Sequence, residues 1–521
     1  MRAVRITFCY VLNLVFFQCM FSQQIYFDNR YNMCQVYDDE AWSAALDIVE
    51  TDEGYAFEGA TVDTDNFWMR RIAIFVIDSY GNKLYEKNYG NDTVDFYKGW
   101  PGSFRKFRFG QSYYLAGSIN YWNPINYDVG MVIKFNTSFD TLWKKEYNLN
   151  QDNNQDTSVI LNNIEFCDNY DLILSGSLNG AYMFLMRTDS NGNNLWYKSF
   201  HYGGNTLCTG YTAIQTSDGG FALGGFRYTI GQEETGNPVI VKTDSLGNQQ
   251  WVKYMGGPLL DGAAFLVNSD DGNIILGSEY GDEMVGNKAR SRINIAKLDN
   301  DGNVLWDKKF GKTIYHNYLL NIKVLSDGTI IACGTNAGYY SSEMGWIIKI
   351  DQNGDSLWYR EYAHLTGTNS INYLWAVIET SDNGIAACGE VFPLPPDTGN
   401  RDAWVIKLDS IGCEWEGCDS TVGVEDLGEL EAWEHGSLEI WPNPAYDRVT
   451  LTLSNMQAPC QVELLVYDIF GKEVEKRGRG EGEPVSRMIM LNTSGYHSGM
   501  YIAVITDQKG RRYTGKFVVL H

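Results

Sequence analysis

Proline, basic residues and long apolar runs are all scarce in this sequence. Only 11 of the 521 residues are proline, and 41 lysines and arginines stand against 65 aspartates and glutamates, a formal net charge of −24. So acidic a surface repels phosphate backbones and anionic headgroups, which argues against nucleic acid or an anionic membrane as the main partner. The chain is nevertheless 14% aromatic and only 20% charged, a composition that excludes disordered and collagen-like proteins.

The start of the chain has the features of a secretory signal. Arg2 and Arg5 precede an apolar stretch, Ile6 to Phe21, that is too short and too polar for a membrane span, and the small residue Ser22 follows it. Residues 1–22 are therefore predicted to be a signal peptide. No later stretch approaches 18 apolar residues, so we expect no membrane span in the rest of the chain.

Cysteine is also sparse, and export changes how it is interpreted. Two of the ten cysteines lie in the signal, and an oxidising environment permits disulfides among the other eight. Cys413 and Cys418 enclose only four residues, so we predict a disulfide between them. Cys333 and Cys388 hold equivalent places before a repeated glycine, which favours packing over a bridge. Neither Cys/His spacing nor an EF-hand pattern is present, and we expect no metal and no cofactor.

A repeat of about 55 residues organises most of the chain. An Asp, a turn containing Gly, and a Trp recur in four full copies, which begin at Asp189, Asp244, Asp299 and Asp351. Weaker copies begin at Asp78, Asn136 and Asp409, which makes seven. A second pattern alternates with the first and ends at Gly59, Gly117, Gly176, Gly225, Gly277, Gly334 and Gly389. Each unit contains four short β-rich runs separated by DG and NG turns. Seven such units predict a seven-bladed β-propeller over residues 23–418.

The seventh unit lacks its fourth strand because the chain is interrupted at Gly412 and Cys413. The segment Ile25 to Tyr31 resembles a lone fourth strand that precedes the first unit. We predict that it completes the last blade and covers an otherwise open sheet edge. The Asp…Gly-Asn…Trp pattern resembles tryptophan-rich propellers of exported Bacteroidetes proteins and, more distantly, quinoprotein-dehydrogenase propellers. That resemblance implies the fold alone.

The composition changes after the repeats. Residues 419–437 contain several acids and no lysine or arginine, which is typical of a solvated linker. Residues 438–521 are close to neutral and contain five β-rich runs, which predict a small Ig-like β-sandwich. The all-β fold expected for the chain is thus a propeller followed by this sandwich.

Three motifs in the last segment resemble the C-terminal sorting domain of type IX secretion substrates, an export route of Bacteroidetes. Their matching residues are Pro442, Asn443, Pro444, Asp468, Gly471, Gly499, Tyr501 and Lys516. The resemblance implies export through the outer membrane, recognition by the secretion machinery, removal by a sortase-like peptidase and attachment to surface lipopolysaccharide. The expected location is secreted or cell-surface, and the cut is expected in the acidic linker.

The loops between strands two and three of each blade, and the links between blades, are long and variable. Variable loops on a rigid scaffold are common binding sites. Exposed rings beside Asn and Asp suit sugars, so we predict a glycan or surface partner bound by the following residues: Trp100, Tyr121, Trp122, Tyr127, Tyr228, Tyr280, Tyr339, Tyr340 and Phe392.

Two other functions remain open at this point. Carboxylates on the same loop face could make a surface polysaccharide hydrolase, although spacing along a sequence cannot test their separation. Alternatively, the aromatic residues could pack between blades in a structural surface protein. His201, His316 and His364 fall in links between blades at different offsets, and we do not expect them to converge on a catalytic site.

Overall fold

The computed structural model describes residues 25–32, 44–62, 70–107, 111–121, 127–149, 157–285, 288–311, 315–337, 343–365, 370–392, 401–415, 418, 438–441, 445–453, 462–468, 472–477, 488–507 and 512–519. The predicted signal peptide and linker lie outside these residues, as do Cys34 and Cys460. None of the described elements is a helix long and apolar enough to cross a membrane.

The described residues between Phe27 and Leu408 form seven antiparallel sheets. The first strand, β1 (Phe27–Tyr31), belongs to sheet 7. Sheet 1 contains β2 (Asp47–Glu50), β3 (Gly54–Val62), β4 (Arg70–Asp78) and β5 (Lys83–Tyr89). Sheet 2 contains β6 (Asp95–Lys98), β7 (Phe104–Lys106), β8 (Tyr113–Tyr121), β9 (Tyr127–Phe135) and β10 (Thr141–Tyr147). Sheet 3 contains β11 (Val159–Phe166), β12 (Leu172–Leu178), β13 (Tyr182–Thr188) and β14 (Asn194–Phe200).

Sheets 4 to 7 continue in the same order along the chain. Sheet 4 contains β15 (Thr206–Gln215), β16 (Phe221–Thr229), β17 (Gln232–Thr243) and β18 (Gln249–Tyr254), and sheet 5 contains β19 (Phe265–Asn268), β20 (Ile274–Val285), β21 (Lys288–Leu298) and β22 (Val304–Phe310). Sheet 6 contains β23 (His316–Val324), β24 (Ile330–Ala337), β25 (Met344–Ile350) and β26 (Ser356–Tyr362). Sheet 7 contains β27 (Ile371–Glu379), β28 (Ile385–Phe392) and β29 (Asp402–Leu408), together with β1.

Each sheet packs against the next one along the chain, and sheet 7 packs against sheet 1 through β27 and β2. The sheets therefore form a closed ring, with the first strand of each sheet innermost. This confirms the all-β propeller-type fold. We call the side that carries the hairpin turns within each sheet the turn face. The opposite side, with the longer loops and the links between sheets, is the loop face. Every innermost strand runs from the loop face to the turn face.

The N-terminal strand supplies the outer edge of sheet 7. β1 pairs antiparallel with β29, from Phe27 opposite Lys407 to Tyr31 opposite Ala403. The Asp28 carboxylate accepts hydrogen bonds from Trp404 Nε1 at 2.7 Å and from His364 Nδ1 at 2.8 Å. These contacts join the beginning of the ring to its end.

The repeated Trp and Gly contact each other across neighbouring sheets. In sheet 4, Trp251 packs against the turn of sheet 5, where a methyl group on Gly302 would lie 3.3 Å from the indole. Trp251 Nε1 also donates to the Asn300 carbonyl at 2.9 Å. The same pairing of ring and turn glycine joins the following: Trp143 and Gly192, Trp196 and Gly247, Trp306 and Gly354, Trp358 and Gly412. Phe27 of β1 packs in the same way on Gly81.

The second repeat pattern has a different cause. In four innermost strands one residue leaves the ladder as a β-bulge, and these residues are Asn162, Tyr211, Leu320 and Trp375. The bulge pushes a carbonyl group toward the neighbouring strand, so that a Cβ on Gly389 would collide with the Tyr373 carbonyl oxygen. Gly176, Gly225 and Gly334 face equivalent carbonyls. Glycine is required there because no side chain fits.

The C-terminal segment forms a separate two-sheet unit. One sheet contains β30 (Leu438–Trp441), β31 (Arg448–Leu453) and β34 (Met488–Asn492). The other contains β32 (Val462–Asp468), β33 (Glu473–Arg477), β35 (Gly499–Asp507) and β36 (Arg512–Val519). Their inner faces share one core, which includes Leu451, Val466 and Phe517. This agrees with the predicted C-terminal β domain.

Trp251→Ala is expected to destabilise the ring by about 2 kcal/mol, because it removes a half-buried indole and its hydrogen bond to the next sheet. The midpoint and slope of urea unfolding measure this loss. Leu305→Ala is the matched control: Leu305 is 51% exposed, and its truncation should change stability by no more than about 0.5 kcal/mol. Equal midpoints for the two variants would contradict the proposed role of the repeated Trp.

Candidate functional site

The innermost strand of sheet 2 is split in a way that no other described sheet shares. β6 ends at Lys98 and β7 begins at Phe104, and the five residues between them project inward. The Trp100 amide donates to the Asn162 carbonyl of sheet 3 at 2.9 Å, and the Gly102 amide donates to Asp47 of sheet 1 at 2.8 Å. These bonds hold the insertion against both neighbouring sheets.

Trp100 consequently reaches aromatic rings of sheets that are not its neighbours. Its ring centroid lies 5.3 Å from that of Tyr211 in sheet 4 and 5.6 Å from that of Trp375 in sheet 7, with edge-to-face geometry in both pairs. Because sheets 3 and 1 stand between these partners, the contacts cross the central channel. Tyr211 and Trp375 are both bulge residues, so the distortion that requires the strand glycines also directs these rings inward.

A polar layer lies above these rings, toward the loop face. Tyr318 and Tyr373 precede the bulges of their strands by two residues, and Tyr318 is 37% exposed. Burial, reinforced by the nearby Glu343 carboxylate, raises the pKa of Tyr373, and Glu343 Oε2 is buried without a hydrogen-bond partner. His316 Nε2 lies 3.2 Å from Glu279 Oε2, and its ring centroid is 4.3 Å from that of Tyr318. Burial, reinforced by the Glu279 and Glu343 charges, raises the pKa of Tyr318 to about 12, so its hydroxyl stays protonated and can donate.

A charged layer lies below the rings, toward the turn face. Arg105 Nη1 is 3.3 Å from Asp47 Oδ2, and Arg105 Nε is 3.2 Å from Glu165 Oε2. Lys323 of sheet 6 belongs to the same group, since burial and the charge of Arg105 lower its pKa to about 8. The two ion pairs of Arg105 thus join sheets 1, 2 and 3 on this side of the rings.

Two buried carboxyl groups line the channel wall where sheets 7, 1 and 2 meet. Glu390 accepts from Arg401 Nη1, which is 3.1 Å from both of its oxygens, and from Trp375 Nε1 at 3.3 Å. Burial raises its pKa, and Arg401 partly offsets the effect. Glu58 is fully buried, and its pKa is raised to about 8 by burial, with Lys98 opposing the shift. A glutamate with this pKa is mostly protonated at neutral pH.

Most aromatic residues predicted as ligand contacts are distributed among separate sheets. Tyr121 stacks on Tyr127 in sheet 2 at 5.4 Å, and Tyr228 lies 5.8 Å from Phe226 in sheet 4. Lys309 covers the Tyr280 ring at 4.3 Å, and Arg401 covers the Phe392 ring at 4.1 Å. Trp122, Tyr339 and Tyr340 lie outside the described residues. As binding residues, these remain predictions.

Trp100 was predicted on the loops and links of the ring, but it lies in the insertion that splits the innermost strand of sheet 2. Sequence reasoning missed Tyr211 and Trp375 as site residues. A signal was present: each of the four bulge residues stands five positions before the first residue of a hairpin turn, as Tyr211 does before Thr216 and Trp375 before Thr380.

The three histidines have separate partners. His201 packs on Tyr182 with ring centroids 4.8 Å apart, His316 bonds Glu279, and His364 bonds Asp28. Within the described part of the chain, no group of three or more His, Cys, Asp or Glu side chains is arranged to hold a metal ion. The structure joins Cys413 and Cys418 in a disulfide, whereas Cys333 and Cys388 are buried with free thiols.

In the C-terminal unit, the motif residues occupy turns and the core. Asp468 ends β32 and its carboxylate accepts the Lys472 amide at 3.0 Å, which closes a hairpin. Tyr501 is buried and donates to the His497 carbonyl at 2.8 Å, while Gly499 begins the same strand. Lys516 Nζ lies 2.8 Å from Glu414 Oε2. Pro442, Asn443, Pro444 and Gly471 lie outside the described residues.

Residues 439–520 match the family model described as a secretion system C-terminal sorting domain. The chain is a type IX secretion substrate. Its sorting domain interacts with the type IX secretion machinery and directs export to the cell surface or the extracellular space. No curated protein matches the chain.

Several solved structures resemble the chain in overall shape. The polysaccharide lyase Uly1 is 10% identical, with 74% of this chain and 98% of that one covered at a TM-score of 0.43. An ulvan lyase of family PL25 is 8% identical, with 74% and 96% covered at a TM-score of 0.43. A protein of unknown function from Dyadobacter fermentans is 8% identical, with 71% and 99% covered at a TM-score of 0.36. None of the three reaches a TM-score of 0.5.

The raised pKa of Glu58 predicts a pH-dependent stability difference. Between the ordinary glutamate pKa and about 8, the folded chain holds a proton that the unfolded chain has lost, so ionisation weakens the fold as pH rises. Glu58→Gln copies the protonated form. The free energy of unfolding of the variant should equal that of wild type near pH 4 and should exceed it by a growing margin up to pH 8. Urea titrations at each pH measure this, and a constant difference across the range would contradict the assignment.

Proposed function

We propose that the ring is an exported carbohydrate-binding module whose ligand lies at the loop-face end of the central channel. The observation that carries the proposal is the meeting of Trp100, Tyr211 and Trp375 from three sheets in the middle of the ring. Aromatic rings provide flat apolar surfaces, and the Tyr318 hydroxyl and Glu343 carboxylate beside them offer a donor and an acceptor for sugar hydroxyls.

The chemistry of the nearby carboxyl groups supports binding over hydrolysis. Glycoside hydrolysis needs two carboxyl groups that face each other across the scissile bond. Here the Glu390 carboxylate is bound by Arg401 and Trp375, and the Glu279 carboxylate by His316. Both carboxylates would have to exchange these partners to act in catalysis. A polysaccharide hydrolase and a purely structural protein are the alternatives.

We further propose that residues 1–22 are removed as a signal peptide and that a sortase-like peptidase cuts within residues 419–437. Attachment to surface lipopolysaccharide would then keep the ring at the outer membrane exterior. Support for these steps comes from the sorting domain at residues 439–520. A surface protein ligand remains an alternative partner for the ring.

The binding site is tested with the mature full-length protein on immobilised polysaccharides, with retention and released reducing ends measured in parallel. Trp375→Ala should weaken retention by about tenfold or more, the ratio that corresponds to about 1.4 kcal/mol. Tyr80→Ala is the matched control, because Tyr80 is 66% exposed on a turn-face hairpin away from the channel. Folding of each variant is checked by its unfolding midpoint.

Each result distinguishes the proposed functions. Retention that survives in folded Trp375→Ala would contradict the channel site, and new reducing ends would move the assignment to a hydrolase. The absence of retention and of release on every polysaccharide would overturn carbohydrate binding altogether.

A further inference from the structure

Among the described residues, Lys98 is a cation of the channel wall that forms no ion pair. It ends β6, two residues before Trp100, and its side chain is half-buried. Among the residues that the structure describes, its ammonium has no ion-pair or hydrogen-bond partner. Two neighbouring cations are paired: Arg105 is bound by Asp47 and Glu165, and Arg401 by Glu390.

The acids that face Lys98 are already engaged. Glu390 is bound by Arg401 and Trp375. Asp47 Oδ2 accepts from the amides of Gly102 and Phe104 at 2.8 and 3.0 Å, as well as from Arg105 at 3.3 Å. Both acids are thus bound by other donors, and neither forms an ion pair with Lys98 in the structure.

Glu58 is the remaining acid, and burial keeps it largely uncharged. Its Oε1 lies 3.4 Å from the Ser103 hydroxyl, while its Oε2 is buried without any hydrogen-bond partner. Because burial raises the pKa of Glu58 to about 8, this side chain supplies little negative charge at neutral pH. A half-buried ammonium without a counterion is costly, and a ligand that brings a negative charge would remove that cost.

We propose that the ring binds an acidic sugar, whose carboxylate or sulfate accepts hydrogen bonds from Lys98 while the sugar ring packs on Trp100 and Trp375. The proposal deepens the proposed carbohydrate-binding function and rests on it. Trp375 is tied to this part of the wall through Glu390, and Trp100 follows Lys98 after a single residue. The anionic group and the apolar face of one sugar unit therefore have adjacent partners.

The net charge of −24 does not oppose such a contact at physiological salt. Interactions between exposed charges are largely screened beyond about 8 Å, whereas a direct contact in a partly dehydrated channel is screened much less. The acidic surface would slow the approach of a polyanion but leave the contact with Lys98 intact.

The test compares mature full-length protein on immobilised acidic polysaccharides (polygalacturonate, alginate and chondroitin sulfate) and neutral ones (dextran, laminarin and galactomannan). Retention is expected on at least one acidic polysaccharide and should fall at least tenfold in Lys98→Met. Uronate-only and sulfated members of the panel distinguish a carboxylate from a sulfate. Lys308→Met is the matched control, since Lys308 pairs with Asp355 on the outer rim at 3.1 Å.

The outcomes distinguish a failure of the acidic-sugar proposal from a failure of the carbohydrate-binding function. Retention on neutral polysaccharides that Lys98→Met leaves unchanged would overturn the acidic-sugar proposal and keep the carbohydrate-binding function. Retention on neither class would overturn both. If Lys98→Met is less stable than wild type, Lys98→Arg, which keeps the charge, should restore retention, and its failure to do so would also contradict the proposal.

The pH dependence gives a second readout that a merely structural lysine would not produce. The groups facing Glu58 are Lys98 from β6, Asp47 from β2 and the Ser103 hydroxyl; Lys98 also faces Glu390 and the Cys388 thiol of sheet 7. As pH rises through about 8, ionised Glu58 becomes the counterion of Lys98 and competes with the ligand. Wild-type retention should therefore fall between pH 7 and 9, while Glu58→Gln should retain the ligand. Parallel pH profiles for the two proteins would contradict the mechanism.

Discussion

The pairing of β1 with β29 is the constraint on which the ring depends. Sheets placed side by side bury their faces only if each has neighbours on both sides, and an unpaired outer strand leaves backbone groups open to other chains. Here the first described strand of the propeller joins its last sheet, and Asp28 links that strand to Trp404 and His364. Closure therefore comes from residues more than 370 positions apart in the chain, as in the Asp28–Trp404 bond.

The closed ring fixes where the inner side chains meet. Bulges in four innermost strands require glycines on the neighbouring strands, and two of the bulges direct Tyr211 and Trp375 toward Trp100. The layers above and below these rings are polar, and several of their charges are paired. Lys98 stands two residues from Trp100 and forms no ion pair among the described residues, and the proposal of an acidic sugar rests on this position.

The sequence predicted the architecture well because the repeat residues are under local constraints. A turn glycine beneath a Trp, or a strand glycine beneath a bulged carbonyl, must recur wherever the geometry recurs. The candidate site was harder to predict, because a periodic pattern identifies a strand without saying which residue leaves its ladder. Trp100 was misplaced for that reason. The sequence could not predict that Lys98 forms no ion pair, because this depends on Glu58 and Glu390, which come from other sheets.

Removal of the closing strand tests this account most directly. A mature protein lacking residues 25–31 should lose its cooperative unfolding transition, since sheet 7 would lack its outer strand and sheet 1 the contacts of Phe27 and Tyr31 with Gly81. A protein lacking only residues 23–24 should unfold like wild type. Unfolding curves that coincide for the two deletions would contradict the dependence of the ring, and of the channel it encloses, on β1.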